Sequence, residues 1–354
     1  MSQKMFIKDM KVKDDVDTHF LVKYMSLNEA KDGKKYLNII LTDNSGDLAS
    51  RVWNNAEEIY ESIEKGKFVR AVGKVNFFQN KKQFVINEIN PIDESEIQKE
   101  DFILKAPLEA ESMFKDLLKI VNELDDVYIK ELLNLILADE EISRRFRTWQ
   151  AGKTIHHAYQ SGLLEHVLSC AQLAIYLSAH YKVNKNYVVA GAVLHDLCKI
   201  YELSDGYNVE YTEEGKLVGH LVKAVELVDR FCYKIKDFPY DLKLHLKHIL
   251  LSHHGEYEYG SPKVPQTSEA FLVHLIDLMD SKMHTVEAVK KTDTNSGHWS
   301  GFVKHLDRII FKDSLPFYSE FINNHDSKPK QNKIAKPREL KQNLGKLLSD
   351  FKIK

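Results

Sequence analysis

Twelve of the sixteen histidines in this 354-residue chain fall between His156 and His284, and several stand where an apolar helix should carry leucine. In "EEGKLVGHLVKAVELVDRF", Leu217, Leu221, Ala224, Val228 and Phe231 recur at helical spacing, and His220 lies on the face they define. "LKLHLKHILLSHHGEYEYGSPK" sets His253 in register with Leu246, Ile249 and Leu250, with His254 beside it and Gly255 ending the helix. His166 interrupts "GLLEHVLSCAQLAIYL", Asp277 interrupts "SEAFLVHLIDLMDSKM", and His195 and Asp196 close the apolar run of "GAVLHDLCKIYEL". A polar or charged group on a buried face costs several kcal/mol unless it is paired or ligated. One such residue is explained by an ordinary hydrogen-bonded core histidine. Seven from five helices constrain the fold to bring them together.

Imidazole and carboxylate suit manganese, iron, cobalt, nickel, zinc or magnesium, and a carboxylate can bridge two cations. Adjacent residues on a helix are about 100° apart, so His195 and Asp196 can face one cavity. Asp196 then stands between two ions, with His166, His195 and Asp277 on one side and His220, His253 and His254 on the other. A closed structural site needs only four ligands, and the cysteines Cys170, Cys198 and Cys232 lack zinc-finger spacing. The donor set therefore points to an open, catalytic centre.

The N-terminal quarter is built differently. "HFLVKY", "KYLNIILTD", "LASRVW", "KFVRAVGKV" and "KQFVINEI" are five strand-like runs separated by the turn sequences "KDGK", "DNSGD" and "FQNKK". A helix-like "NAEEIYESIEKG" precedes the fourth. This is the element order of an OB-fold, a small barrel that binds single-stranded nucleic acid, although another five-stranded barrel satisfies the same pattern. "NPIDESEIQKEDFILKAP" reads as a polar linker, and nearly everything from Pro107 to about Phe321 as helix. Net charge is −2 overall, which excludes a uniformly basic nucleic-acid binder. The tail from Ser327 onward holds nine Lys or Arg against two acids; it reads as a solvated tail with a docking helix (Leu340, Leu344, Leu347, Phe351) or as an electrostatic arm for RNA. The odd number of cysteines, the absence of an apolar leader and the lack of an apolar run near 20 residues predict a cytoplasmic, soluble protein with no membrane partner.

With these residues in view, the chain resembles the HD-domain metal-dependent phosphohydrolases, whose H…HD…D pattern matches His166, His195, Asp196 and Asp277. His220 and the pair His253, His254 resemble the additional ligands of the two-metal branch. More narrowly, "HHAYQSGLLEHV", "LHDLCKIYEL", "LVGH", "LSHHGEYEYGSPK" and "LIDLMDSKM", behind an OB-like barrel, are similar to the YhaM-type 3′-to-5′ exoribonucleases over roughly residues 1–320. The chain departs from that family at Cys198, where glycine is common. The resemblance implies a multidomain chain: an all-β OB-fold barrel at 1–92, a linker and leading helices at 93–145, an all-α HD-domain helical bundle at 146–322 and a basic tail at 323–354. It also implies two-metal hydrolysis of single-stranded RNA, with single-stranded DNA open, to nucleoside 5′-monophosphates. Manganese is the first choice of cation, and cobalt, iron, nickel, zinc or magnesium also fit. Self-association stays open. A small-nucleotide phosphodiesterase or nucleotidase of the same superfamily is the alternative enzyme. A non-catalytic binding protein with a structural metal is the alternative without chemistry.

Asp196 and Lys199 carry the catalytic expectation. Lys199 either neutralises phosphate oxygens or acts as a helix C-terminal cation. His157 at the entry to the His166 helix, and Arg144 and Arg145 in "SRRFRTWQAGK", are candidate substrate contacts, the guanidinium fork being matched to phosphate. In the barrel, Tyr36, Trp53, Phe77, Phe78 and Phe84 interleave with Lys34, Lys35, Arg51, Lys81 and Lys82. Most of these rings are expected in the core, with two or three facing solvent. Phe78, Lys81 and Lys82, read as loop residues, are the preferred RNA contacts.

Overall fold

The computed structural model describes residues 4–78, 81–102, 106, 108–152, 159–206, 209–293, 295 and 297–313. Met1–Ile310 form one compact unit; of a second, Phe311–Lys354, only residues 311–313 are described. The basic tail and its leucine-spaced segment lie outside the described residues.

The strands are β1 (Asp15–Glu29), β2 (Lys35–Asp43), β3 (Gly46–Val52), β4 (Phe68–Phe78) and β5 (Lys81–Pro91), closed in the order β1-β2-β3-β5-β4. β1 makes closure geometrically simple. Its first half pairs with β4 and its second half with β2, with a register shift between Val22 and Tyr24 where the strand turns the corner. β3 and β5 seal the barrel in parallel, the other pairs being antiparallel. Strict alternation on β2 sends Leu37, Ile39 and Leu41 into a core with Phe20 and Phe84. Helix α1 (Ala56–Ser62) lies between β3 and β4; it stops a turn short of Gly66, whose positive φ belongs to the turn before β4. β4 and β5 pair out to Phe78 and Lys81, so these residues and Lys82 belong to strand ends at the tip of a hairpin rather than to a long loop.

The segment after β5, read as a polar linker, reaches the barrel through its few apolar residues, Ile92, Ile97 and Phe102. Phe102 is buried edge-on against Phe68, with ring centroids 4.9 Å apart, and Asn44 donates its backbone N–H to the Asp101 carbonyl. Up to Phe102 the segment is strapped to the barrel wall.

The helices are α2 (Ala110–Asn122), α3 (Val127–Ala138), α4 (Glu140–Thr148), α5 (Gly162–Tyr181), α6 (Lys185–Leu194), α7 (Lys199–Glu202), α8 (Glu213–Leu217), α9 (Gly219–Cys232), α10 (Tyr240–Ser252) and α11 (Ser268–Thr292). Asp126, Asp139, Asn184, Thr212 and Thr267 cap α3, α4, α6, α8 and α11 by accepting a backbone N–H. α4 runs across residues 145–146, and α2 to α4 share one buried core with the later helices. α5 is the hub, touching α2, α4, α6 and α11. Contrary to the reading of its sequence, α5 is long and apolar enough to cross a membrane, at 20 residues and mean hydropathy 1.2. Its apolar character has another cause here: Leu163, Leu164, Val167, Leu168, Ala171 and Ala174 are buried in the helical core.

Gly191 lets α6 approach α10 and α11, since a Cβ there would stand 2.7 Å from both Ile249 and Val273. That approach gathers His195, His253 and Asp277 at one place. The barrel meets the helical domain through Lys65, whose ammonium is 2.9 Å from Glu210 on the segment joining α7 to α8.

Candidate metal centre

His166 and Asp277 project from the bodies of α5 and α11, whereas the other five stand at helix ends. His195 and Asp196 occupy the turn between α6 and α7, His220 is the second residue of α9, and His253 and His254 follow α10. His220 and His253, read from the sequence as lying on apolar faces, stand at the start of α9 and just past the end of α10, where the helix termini aim them inward. Gly255 enforces the stop after His254. It has φ +84°, and a Cβ there would collide with the His274 ring, which donates from Nδ1 to the His253 carbonyl over 2.8 Å.

All seven converge. His166 Nε2 is 3.1 Å from His195 Nε2, 3.4 Å from Asp196 Oδ2 and 3.4 Å from Asp277 Oδ1. On the other side of Asp196, Oδ1 is 3.4 Å from His220 Nε2 and 3.8 Å from His253 Nε2. The rings of His220 and His253 lie 5.1 Å and 4.6 Å from that of His254, centroid to centroid. Asp196, 2% exposed, thus offers one oxygen to each of two clusters.

The imidazoles are oriented by their other nitrogens. Nδ1 of His195, His253 and His254 lies 2.9, 2.8 and 3.0 Å from the carbonyls of Ala192, Leu250 and Tyr259. A carbonyl only accepts, so each Nδ1 carries the proton and each Nε2 keeps its lone pair for the cluster. Asp280 accepts from His166 Nδ1 at 2.7 Å and is itself held by Ser169; Glu202 accepts from His220 Nδ1. This is the outer arrangement that orients metal-binding histidines. Asp280 and Glu202 escape the sequence reading, though both lie in the quoted blocks: an acid three residues after Asp277, and an acid on the turn that follows Lys199.

These residues fit a metal. Nitrogen and oxygen atoms sharing one ion at about 2.0–2.2 Å stand roughly 3.3 Å apart in a tetrahedron, which is the spacing around His166 Nε2. Nε2 of His220 and of His253 is buried with no hydrogen-bond partner, an arrangement that costs about 1–3 kcal/mol unless something is bound there. The electrostatics agree. Burial works against an imidazolium at His166, yet Asp196, Asp277 and Asp280 overcome it and hold its pKa well above 6.5, while burial pushes His195 and His254 down to about 4. Asp196 is held well below the usual carboxylate range against the effect of burial, chiefly by Lys199 and His195. Within the deep cluster the two imidazoles therefore differ: His166 favours its charged form and His195 its neutral one.

The remaining sequence candidates separate. Lys199 Nζ is 2.6 Å from Asp196 Oδ2, a buried ion pair. Arg145 is committed: it bonds the Ile200 carbonyl at 3.3 Å and Glu141 at 2.8 Å and lies over the rings of Trp149 and Tyr201, holding α4 to α7 rather than facing solvent as a phosphate clamp. Arg144 is exposed and lines a surface hollow with Arg147, Thr148 and Gln160. His157 lies outside the described residues, as does the side chain of Lys81. Lys82 donates to the Met10 carbonyl at 2.6 Å. Phe77 and Phe78 are 60% and 55% exposed, whereas Phe84 is core. A second aromatic surface lies on the outer face of β2 and β3. Tyr36 and Trp53 stack at 4.9 Å with Arg51 over the Tyr36 ring, and Trp53 is 39% exposed. Alternation carries this signal, because inward Leu37 and Val52 turn Tyr36 and Trp53 outward.

Residues 163–282 match the HD domain family and residues 21–92 an OB-fold nucleic acid binding domain of the tRNA anti-codon type. The class is therefore that of HD-domain metal-dependent enzymes with an N-terminal OB-fold. Over 310 residues the chain is 33% identical to 3′-5′ exoribonuclease YhaM of Oceanobacillus iheyensis, covering 86% of this chain and 94% of that one. It is 32% identical over 307 residues to the YhaM of Listeria welshimeri, covering 86% and 96%. The chain belongs to the YhaM family of 3′-5′ exoribonucleases. Among solved structures, the barrel is similar to the second OB-fold domain of replication protein A from Methanococcus maripaludis, at 18% identity and TM-score 0.22 over 26% of this chain and 97% of that one.

Proposed function

We propose that this protein removes nucleotides from the 3′ end of single-stranded RNA, with single-stranded DNA as a second substrate, releasing nucleoside 5′-monophosphates. The observation that carries the reading is Asp196 presenting Oδ2 to the His166 and His195 side and Oδ1 to the His220 and His253 side. His166, His195, Asp196 and Asp277 would hold one divalent cation, and Asp196, His220, His253 and His254 the other, manganese first. Bound there, the pair of cations supplies Lewis-acid polarisation of the phosphodiester and a water of lowered pKa.

The protein contributes orientation and access. Asp280, Glu202 and the three backbone carbonyls fix each imidazole tautomer, so the ligands need no reorganisation. Tyr36 and Trp53, with Arg51, offer a stacking surface that accepts any base, and Phe77 and Phe78 a second one at the hairpin tip. Such surfaces favour a strand over a cyclic dinucleotide, which has no further bases to stack. Arg144 contributes a phosphate contact. The buried, unpaired cysteines support a reducing cytoplasm as the site of action.

The test is a product ladder on a 5′-labelled RNA with a single-stranded 3′ end, run beside metal analysis of the same protein. Stepwise shortening with mononucleotide release and about two equivalents of manganese is expected. Intact RNA together with cleavage of cyclic dinucleotides would transfer the reading to a small-nucleotide phosphodiesterase.

A further inference from the structure

Lys199 begins α7 three residues after Asp196, and the two form the buried ion pair at the centre of the site. The Lys199 side chain is 16% exposed and that of Asp196 3%. The oxygen that accepts the ammonium at 2.6 Å is Oδ2, the same atom that faces His166 Nε2 at 3.4 Å and His195 Nε2 at 3.6 Å. The other oxygen, Oδ1, faces His220 and His253. Two positive claims therefore fall on one carboxylate oxygen, and the second oxygen has no such rival. Asp196, Asp277 and Glu202 are the charged groups that draw the ammonium in against its burial.

We propose that Lys199 is the resident counter-cation of Asp196, competing for Oδ2 with any cation that occupies the deep cluster of His166, His195, Asp196 and Asp277. Lys199 thereby weakens that cluster selectively. The mechanism is electrostatic: a buried ammonium beside a divalent ion is repelled with little solvent screening, and breaking its pair with Asp196 leaves a desolvated charge to be relocated. The outer cluster of His220, His253 and His254 fills first. The deep one fills only as free metal rises, so activity follows metal supply. Lys199 acts here through Asp196 and is a positioning residue. The inference rests on the metal reading above.

Manganese binding to the full-length protein, stripped with chelator, tests it by calorimetry and by the loss of free manganese EPR signal. Wild type is expected to show a tighter and a weaker site. Lys199→Met should tighten the weaker site at least tenfold and change the tighter site less than threefold; Lys199→Arg, which keeps the charge, should leave both within threefold. The metal-free Lys199→Met protein should melt lower than wild type, yet gain more in Tm on manganese addition. Lys199→Gln, which keeps a hydrogen-bond donor to Asp196 without the charge, should tighten the same site and serves if Lys199→Met does not fold. A weaker site that is unchanged or looser in both neutral variants overturns the proposal while the metal reading stands. A wild type that takes up no manganese at all overturns both.

Discussion

The barrel and the helical domain use side chains in opposite ways. In the barrel, the interior is ordinary, with Leu37, Ile39, Leu41, Phe20 and Phe84 packed together, and the features suited to a ligand, Tyr36, Trp53, Phe77 and Phe78, are rings with exposed surface. In the helical domain it is the interior that is anomalous: His166, His195, Asp196, His220 and His253 are buried where leucines pack. On the function proposed above, chemistry belongs where burial has been violated, and strand binding at the uncovered rings of the barrel. The first kind of feature demands compensation and so stands out in a sequence. The second does not.

The largest expected effect comes from the one residue shared by both clusters. Asp196→Asn keeps the shape and removes a negative charge from each, so turnover on RNA should fall by more than about 100-fold, the scale of losing one preorganised electrostatic group. RNA affinity measured in EDTA should stay within about threefold, because the exposed rings of the barrel are untouched. Comparable losses in both would mean that catalysis and binding are not divided between the two regions.

That division also explains what the sequence shows and what it hides. Seven polar positions on apolar helical faces are visible because each one, alone, is costly. That five of them stand at helix ends is visible only in part: Gly255 marks the stop after His254 and the apolar run closes at His195, whereas the start of α9 just before His220 and the packing through Gly191 are set by the fold. Asp280 and Glu202 are invisible for a different reason. Acids on helices are common, and what distinguishes these is contact with His166, 114 residues away, and with His220, 18 residues away. In the barrel, the five-strand order is readable from period-two patterning. The strap through Phe102 is not, because a few apolar residues in a charged run resemble a linker until a barrel wall is present to receive them.

Next in size is an acid-side loss of stability concentrated in the helical domain. Burial holds His195 and His254 at about 4, below the 6.5 of an unfolded chain. Their contribution is full above 6.5 and is lost as pH falls toward 4, because there the unfolded chain binds more protons; at 1.36 kcal/mol per pKa unit the pair amounts to several kcal/mol. His245 and His248 shift the same way, as does the barrel's His19. His166 has the opposite sign: raised above 6.5, it stabilises below that value and ceases to do so as pH rises through its folded pKa. The urea midpoint of metal-free protein should therefore drop steeply between pH 6.5 and 4.5, and His254→Ala should flatten the slope. A flat profile would show that these imidazoles are solvated.

The barrel's share is smaller and appears in binding alone. Trp53→Ala should weaken RNA by about 1–3 kcal/mol, the worth of one stacked base, with kcat on a dinucleotide unchanged. Phe78→Ala should have a similar effect if the hairpin tip lies on the same strand path. Loss of kcat in Trp53→Ala would place the ring in the reaction rather than on the approach to it.

The finest test compares neighbours within α4, since Arg144 and Arg145 look alike in sequence and are used differently. Arg144 is exposed beside a hollow; Arg145 is tied to Glu141 and the Ile200 carbonyl between two aromatic rings, with a buried Nε. Arg144→Ala should weaken RNA only a few-fold and reduce the salt slope of binding by about 1, the signature of one lost phosphate contact, with Tm unchanged. Arg145→Ala should leave the salt slope alone and lower Tm, because it unpins α4 from α7, the helix that begins with Lys199. The reverse pattern would make Arg145 the phosphate ligand, and the ion pair with Glu141 would then be one that substrate breaks.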